Sequence, residues 1–221
     1  MARWLMVVCG AAGFCVGLAS CTRRDAVPRQ GEPERSEVPS VELRVYVFLD
    51  DDFIRRFGNA DGTGRRRVND WLYETERQMQ AGGFPVVIRM AGMGRWRLPA
   101  GALDGTAIWA KHVPQSWPGE ADANCMIALT GREGVYWSGV SKWPRIFSKA
   151  QAAEPIDVKT VNLLCHEISH WFGATDIIDP DFPELSVMNY KARHFAREDG
   201  RVQWDKANRE RMLQGLRNWR H

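Results

Sequence analysis

The chain has 221 residues and a formal net charge of +3, from 30 Lys and Arg against 27 Asp and Glu. This length allows one domain with a hydrophobic core, or at most two small ones. A charge so close to balance lacks the strong basic excess typical of nucleic-acid-binding proteins, so we expect no nucleic-acid partner. We also expect the protein to be a monomer.

The first twenty residues, "MARWLMVVCGAAGFCVGLAS", contain one charge, Arg3, followed by an apolar run and then small residues. This order is typical of a secretory signal peptide. The apolar run from Trp4 to about Ala19 is short for a membrane span, which needs about 20 apolar residues. We therefore predict a signal peptide at residues 1–20 and an exported protein, with an uncleaved N-terminal anchor as the alternative.

The segment ends in "LASC", Leu18 to Cys21, in the order aliphatic, small, small, cysteine. This order resembles the lipobox of bacterial lipoproteins. The resemblance implies removal of the signal before Cys21 and attachment of acyl chains such as palmitate to that residue. Several chains would hold firmly, since each buried methylene contributes about 0.8 kcal/mol. The expected location is the cell envelope, and the non-acidic Thr22 favours the outer membrane if the cell has two.

Residues 21–40 follow as a predicted lipidated N-terminus and disordered tether. The stretch from Thr22 to Ser40 has three prolines, many charges and almost no large apolar residue, so it cannot bury a core. The folded domain is therefore predicted to span residues 41–221.

The first predicted element of this domain is a strand in "VELRVYVFLD", because apolar residues alternate along it. A helix is predicted in "VNDWLYETERQMQ", where apolar residues recur at helical spacing, and Gly82 and Gly83 are expected to end it. The strand pattern consists of Val41, Leu43, Val45 and Val47, and the helix pattern of Val68, Trp71, Leu72 and Met79.

Further strands are predicted in "FPVVIRMAG", "RWRLP" and the buried run "ANCMIALTG". The extended segment "GVYWSGVSKWPRIFSKA" follows, and Pro144 favours an edge position for it. Asp157 is a candidate cap for the helix "VKTVNLLCHEISHWFG", and a last helix is expected from about Asp205 to Arg220. The apolar stripe expected to face the sheet is Val161, Leu164, Cys165, Ile168 and Phe172.

Two cysteines, Cys125 and Cys165, lie in the predicted domain. An exported protein could oxidise them to one disulfide. Two buried free thiols agree equally well with the sequence.

The stretch "HEISHWFGATD" contains the strongest functional pattern in the chain. His166 and His170 are four residues apart, so on a helix they lie on one face and can share a zinc ion. Glu167 lies one step round the helix, where it can reach a zinc-bound water without being a ligand. Zinc lowers the pKa of such a water towards about 7, and the carboxylate can then accept its proton.

A catalytic zinc needs a third protein ligand. Gly173 can end the helix in a left-handed conformation, and Asp176 follows three residues later with an acceptable carboxylate ligand. Asp179 and Asp181 compete for this role in the same stretch.

"HEISHWFGATD" followed by "SVMNY" resembles the metzincin clan of zinc endopeptidases, whose pattern is HExxHxxGxx(H/D) with a later Met-turn. The aspartate form is similar to snapalysins, and the "SxMxY" turn to astacins and serralysins. The resemblance implies an α+β fold: a twisted mixed β-sheet with an active-site helix, then a short C-terminal subdomain with one helix.

The resemblance also implies one catalytic zinc ion, with His166, His170 and Asp176 as its ligands. Glu167 would be the general base. Met188 would form a hydrophobic floor beneath the metal, and Tyr190 would stabilise the oxyanion of the transition state.

The predicted function is thus a lipid-anchored zinc endopeptidase acting on proteins or peptides, which could bind as an added strand along Gly139 to Lys149. One alternative is a peptidase whose third ligand is Glu184 or Glu198, as in gluzincins. Another is a catalytically silent binding or adhesion lipoprotein with the same fold, although an intact Glu167 argues against it.

Overall fold

The computed structural model describes residues 38–136, 139–150, 158–179, 181–189 and 201–219, all within one compact unit from Glu37 to His221. The predicted signal peptide and Cys21 lie outside the described residues, as does the tether up to residue 37. Three further sequence predictions also fall outside them, at Asp157, Tyr190 and Glu198.

Five strands and five helices occur within the described residues. In chain order they are β1 (Val41–Leu49), α1 (Asp51–Phe57), α2 (Thr63–Ala81), β2 (Val86–Arg95), α3 (Gly105–Lys111), β3 (Cys125–Thr130), β4 (Gly139–Lys142), β5 (Arg145–Lys149), α4 (Val158–Trp171) and α5 (Lys206–Arg217).

The strands form one mixed sheet in the order β2-β1-β3-β5-β4. β1 is parallel to β2 and β3, and β3 is parallel to β5, whereas β4 is antiparallel to β5 at the edge. Pro144 stands in the turn between β4 and β5, and its carbonyl accepts a hydrogen bond from Met126 N. The predicted edge position of this segment is therefore confirmed.

The alternation along β1 divides the interior into two hydrophobic clusters, because successive side chains point to opposite faces of a sheet. The odd-numbered residues Val41 to Leu49 pack with apolar residues of α1, α2, α4 and α5. Tyr46 and Phe48 point the other way, into a smaller cluster that includes Ile108 of α3. The helix that carries the two histidines thus lies on the larger cluster.

The prediction of two separate strands in "FPVVIRMAG" and "RWRLP" was wrong. β2 continues without a break to Arg95, across Gly92 and Gly94. Both glycines lie against the ring of Tyr46, where a side chain would collide, and the pairing register shifts between Val45 and Tyr46. The glycines therefore leave room for an aromatic ring beside β2 and do not end the strand.

The short helices α1 and α3 were not predicted from sequence. Each begins after an aspartate whose side chain caps it: Asp50 accepts a hydrogen bond from Phe53 N, and Asp104 accepts from Thr106 N and Ala107 N. Seven residues are too few to show a helical period, so the caps rather than a pattern define these helices.

The predicted α+β class is confirmed, with a mixed sheet, a helix that carries the HExxH sequence and a C-terminal helix. The cysteines Cys125 and Cys165 are both buried free thiols, and burial raises the pKa of Cys125 to about 12. None of the helices in the described ranges is long and apolar enough to cross a membrane.

Candidate metal centre

The helix α4 places the apolar stripe and the histidines as its period predicts. All five predicted stripe residues are buried in the larger cluster. His166 is also buried, and His170 is half-buried one turn later. The helix therefore faces the core along one side and opens at its C-terminal end.

Three potential ligand atoms converge at this end. His166 Nε2 lies 3.1 Å from Asp176 Oδ1, and His170 Nε2 lies 3.3 Å from the same oxygen. The two Nε2 atoms are 3.2 Å apart. Within the described ranges, these three residues form the group of His, Cys, Asp or Glu side chains that could hold a metal ion.

Two backbone carbonyls orient the imidazole rings. Nδ1 of His166 donates a hydrogen bond to Val187 O at 2.8 Å, and Nδ1 of His170 donates to Ala174 O at 2.9 Å. Since a carbonyl can only accept, each ring carries its proton on Nδ1, and in the neutral ring the Nε2 lone pair is available for a metal.

The turn after α4 brings Asp176 back to the histidines. Gly173 has a φ of +93°, its N–H donates to His170 O, and Ala174 N donates to Ser169 O. This pair of hydrogen bonds is a Schellman motif, which glycine adopts without a clash from a side chain. The predicted role of Gly173 in ending the helix is confirmed.

A second segment, Ser186 to Asn189, holds the loop from the other side. Ile177 N donates to Met188 O at 2.8 Å, and Ile177 and Asn189 form a β-bridge. Met188 is fully buried in the larger cluster. The segment from Ser186 to Asn189 therefore lies beside the loop that carries Asp176, while the role of Met188 as a floor under a metal stays a prediction.

Glu167 lies beside the three ligand atoms. Its Oε1 is 4.0 Å from His166 Nε2, and the residue is only 3% exposed. Burial raises the pKa of Glu167 to about 7; the charge of Asp176 acts in the same direction, and the two histidines oppose it. A carboxyl group whose pKa lies near neutral pH can both accept and return a proton.

Electrostatics couple the ligands to each other. Burial would raise the pKa of Asp176, but its close contacts with the His166 and His170 side chains outweigh burial and hold that pKa well below its usual range. Burial would likewise lower the pKa of His170, yet its contacts with Asp176 and Ala174 O raise it overall. The carboxylate is therefore ionised at neutral pH.

Three of the alternative third ligands, Asp179, Asp181 and Glu184, lie elsewhere in the described residues, and the fourth, Glu198, falls outside them. Asp179 accepts a hydrogen bond from Asp181 N, and Glu184 accepts one from Lys206 N. Neither Asp179, Asp181 nor Glu184 belongs to the group of convergent ligand atoms. The geometry thus brings Asp176 to the histidines in preference to these residues.

Trp143 and Trp171 pack together at 5.0 Å between ring centroids. Trp219 packs on Trp143 at 4.6 Å. These three tryptophans therefore pack the β4–β5 turn against the end of α4 and the residues after α5.

Sequence reasoning missed the groups that support the site. The carbonyls of Ala174 and Val187 carry no side-chain signal and could not have been found. Asn208 and Gly139, which contact the loop and Glu167 respectively, stand far away in sequence. For Asn208 a sequence signal did exist, because Asp205, three residues before it, is a candidate helix cap.

In sequence, the chain matches no protein-family model and no curated protein. Among solved structures, it is similar to a chain described as "Structure of a chaperone-substrate complex", with a TM-score of 0.56 and 10% identity over 81% of this chain. This chain spans 35% of the length of that one. At this identity the likeness shows a shared fold alone.

Archaemetzincin from Methanopyrus kandleri superposes with a TM-score of 0.49 and 15% identity. The superposition covers 79% of this chain and 96% of that one.

Proposed function

We propose that the protein is a zinc-dependent endopeptidase. The observation that carries the proposal is the convergence of His166 Nε2, His170 Nε2 and Asp176 Oδ1, which all lie within 4.8 Å of one another. The Nδ1 atom of each histidine is hydrogen-bonded to a backbone carbonyl. The motif's resemblance to metzincins adds support from sequence.

The donor set fits a zinc ion. Zinc bonds of about 2.0–2.1 Å in a tetrahedral site imply ligand separations of roughly 3.3–3.4 Å. The three observed separations, 3.1, 3.2 and 3.3 Å, are close to that value. Three protein ligands leave the fourth position open, as catalytic sites require.

When bound, zinc would polarise a peptide carbonyl and lower the pKa of a coordinated water. The chain supplies the remaining chemistry. Glu167 is placed to accept a proton from the attacking water and to return it to the leaving amine. Tyr190, outside the described residues, is proposed to donate a hydrogen bond to the developing oxyanion.

An extended substrate would bind along β4. One side of this strand pairs with β5, and within the described part of the chain no strand pairs with the other side. The first residue of β4, Gly139, lies directly against the Glu167 carboxylate. A peptide added to this edge by backbone hydrogen bonds would therefore pass close to Glu167.

The proposal includes export and lipidation at Cys21, with the cell envelope as the location. Its support is the signal-like order of residues 1–20 and the "LASC" sequence. Cys21→Ser should move the protein from the membrane fraction to the soluble fraction. An unchanged distribution would contradict lipid anchoring at this cysteine without touching the peptidase proposal.

The experiment that tests the peptidase proposal is the zinc content per chain of the full-length protein and of His170→Ala. We expect about one zinc in the former, little in the latter, and chelator-sensitive cleavage of an unfolded protein such as casein. A folded chain that takes up no offered zinc would contradict the proposal. Zinc uptake without cleavage of any peptide tested would favour the binding lipoprotein.

A further inference from the structure

The third ligand differs from the two histidines in how it is held. His166 and His170 lie on α4, whereas Asp176 lies in a loop. The peptide group before Asp176, between Thr175 and Asp176, therefore sets where its carboxylate points. The side chain that binds this stretch comes from α5.

Asn208 binds both backbone groups of Thr175. Thr175 N donates to Asn208 Oδ1 at 2.8 Å, and Asn208 Nδ2 donates to Thr175 O at 3.0 Å. Thr175 O belongs to the peptide group that leads into Asp176, so this bond fixes the plane of that peptide. Asn208 is 1% exposed, although Thr175 itself is exposed.

The orientation of the Asn208 amide is itself fixed. Its Nδ2 also donates to Asp205 Oδ2 at 2.8 Å, and its backbone N donates to Asp205 Oδ1 at 2.9 Å. The side chain would lose all three of these amide hydrogen bonds if it turned over, because Oδ1 cannot donate and Nδ2 cannot accept. Asp205 is the N-cap of α5, so the first turn of that helix presents the amide rigidly.

The same first turn reaches the other side of the site. Ser186 Oγ donates to Asp205 Oδ2 at 2.8 Å and accepts from Met188 N at 3.2 Å. Val187, between them, offers the carbonyl that orients His166. One network of hydrogen bonds thus joins the loop that carries Asp176 to the segment whose carbonyl orients His166.

We propose that Asn208 is a positioning residue for Asp176, holding the loop so that the carboxylate faces the two histidines. The inference rests on the proposed zinc site and deepens it. Groups that orient metal ligands typically contribute 10–100-fold to metal affinity. Loss of the Asn208 amide should therefore weaken zinc binding by about 10-fold or more.

The experiment measures the zinc dissociation constant of the full-length chain by competition with a chromogenic chelator, for the parent and Asn208→Ala. The matched control is Met212→Ala, because Met212 is fully buried one turn later on α5 and its thioether side chain cannot donate a hydrogen bond to the loop. We expect weaker zinc binding in Asn208→Ala and an unchanged dissociation constant in Met212→Ala, although both unfold at lower temperature.

Two further variants complete the experiment. Asn208→Asp keeps the acceptor for Thr175 N but cannot donate to Thr175 O, so it should also weaken zinc binding; it serves if Asn208→Ala does not fold. In an Asp176→Ala background, Asn208→Ala should change the remaining zinc affinity by less than twofold, because its effect passes through Asp176.

The outcomes separate this inference from the proposed function. A parent chain that binds no zinc contradicts the zinc peptidase, and faster hydrogen exchange at Thr175 N in Asn208→Ala than in Met212→Ala would still support the positioning role. A parent that binds zinc with the same affinity as Asn208→Ala overturns the positioning role alone. Equal weakening by Met212→Ala would also overturn it, since the effect would then follow stability.

Discussion

The two halves of the candidate centre are built by different means. On α4, the histidines are four residues apart and their separation follows from the hydrogen bonds of a single helix. Across the gap, Asp176 depends on bonds to residues far along the chain, from Ile177 N to Met188 O and from Thr175 to Asn208. The histidines are thus held by hydrogen bonds within one helix, whereas Asp176 is held by hydrogen bonds to residues far away in sequence.

This difference indicates where the centre should be sensitive. Helical spacing survives most changes elsewhere in the protein, because each turn is held by its neighbours. Asp176 has local support only from the Gly173 turn, so its position should also depend on its distant partners.

The helical half is tested by Glu167→Gln. Loss of a general base typically lowers turnover by about 10²–10⁴-fold, while the three ligand atoms remain in place. We expect peptide cleavage to fall by this range and zinc content per chain to stay at the parent value. Cleavage at the parent rate by the zinc-loaded variant would exclude Glu167 as the base.

The contact between β4 and α4 is tested by Gly139→Ala. A Cβ at this position would lie 2.7 Å from Glu167 Cδ and 2.9 Å from Leu163 Cδ1, so the flexible carboxylate must move away. Displacement of a catalytic group by about 1 Å can cost about 10²-fold in rate. We expect a large decrease in kcat with unchanged zinc affinity.

The control for Gly139→Ala is Gly119→Ala, since a Cβ at Gly119 has nothing within 4 Å. That variant should keep the parent kcat. Equal kcat values for both variants and the parent would show that Glu167 does not depend on the space left by Gly139.

The junction between the two halves is tested by Gly173→Ala. The φ of +93° is costly for a residue with a side chain, by about 1–3 kcal/mol. We expect a loss of this size in the free energy of unfolding and weaker zinc binding, because the turn delivers Asp176. Chemical denaturation and chelator competition measure the two effects.

Gly101→Ala is the matched control for that turn. Gly101 also has a positive φ, +77°, and a Cβ there meets nothing within 4 Å. This variant should lose stability in the same way but bind zinc as the parent does. Parent-like zinc binding in both variants would mean that the loop reaches the histidines without the glycine turn.

The tertiary half is also tested by pH. Burial would raise the pKa of Asp205, but the hydrogen bonds that it accepts from Asn208 and Ser186 outweigh burial and lower it below the ordinary 3.8. Because the folded-state pKa is the lower one, the carboxylate stabilises the fold above pH 3.8. That contribution is lost as the pH falls through the lowered value.

Asp205→Asn removes the charged acceptor that Asn208 and Ser186 donate to, so it should lower the free energy of unfolding at pH 7 by about 1 kcal/mol, the usual difference between charged and neutral hydrogen bonds. The difference from the parent should shrink below pH 4, which denaturation curves at several pH values would measure. A difference for Asp205→Asn that stays constant from pH 7 to pH 3 would contradict the prediction.

Much of the fold followed from sequence wherever a period was long enough to detect. The alternation in β1, the helical faces of α2 and α4 and the glycine end of α2 were all predicted and are confirmed. The failures have physical causes. The seven-residue helices depend on caps, and β2 continues past Gly92 because the ring of Tyr46, from the neighbouring strand, occupies the space.

The sequence alone predicts two histidines on one face of a helix, a glutamate one step round it, and then a glycine turn followed by an aspartate. These relations are local, because helix geometry and the left-handed tolerance of glycine act within a few residues. Only the tertiary structure decided that Asp176, rather than Asp179, Asp181 or Glu184, meets the histidines. The reason is that carbonyls, the Asn208 amide and the space at Gly139 become neighbours of the site only when the chain is folded.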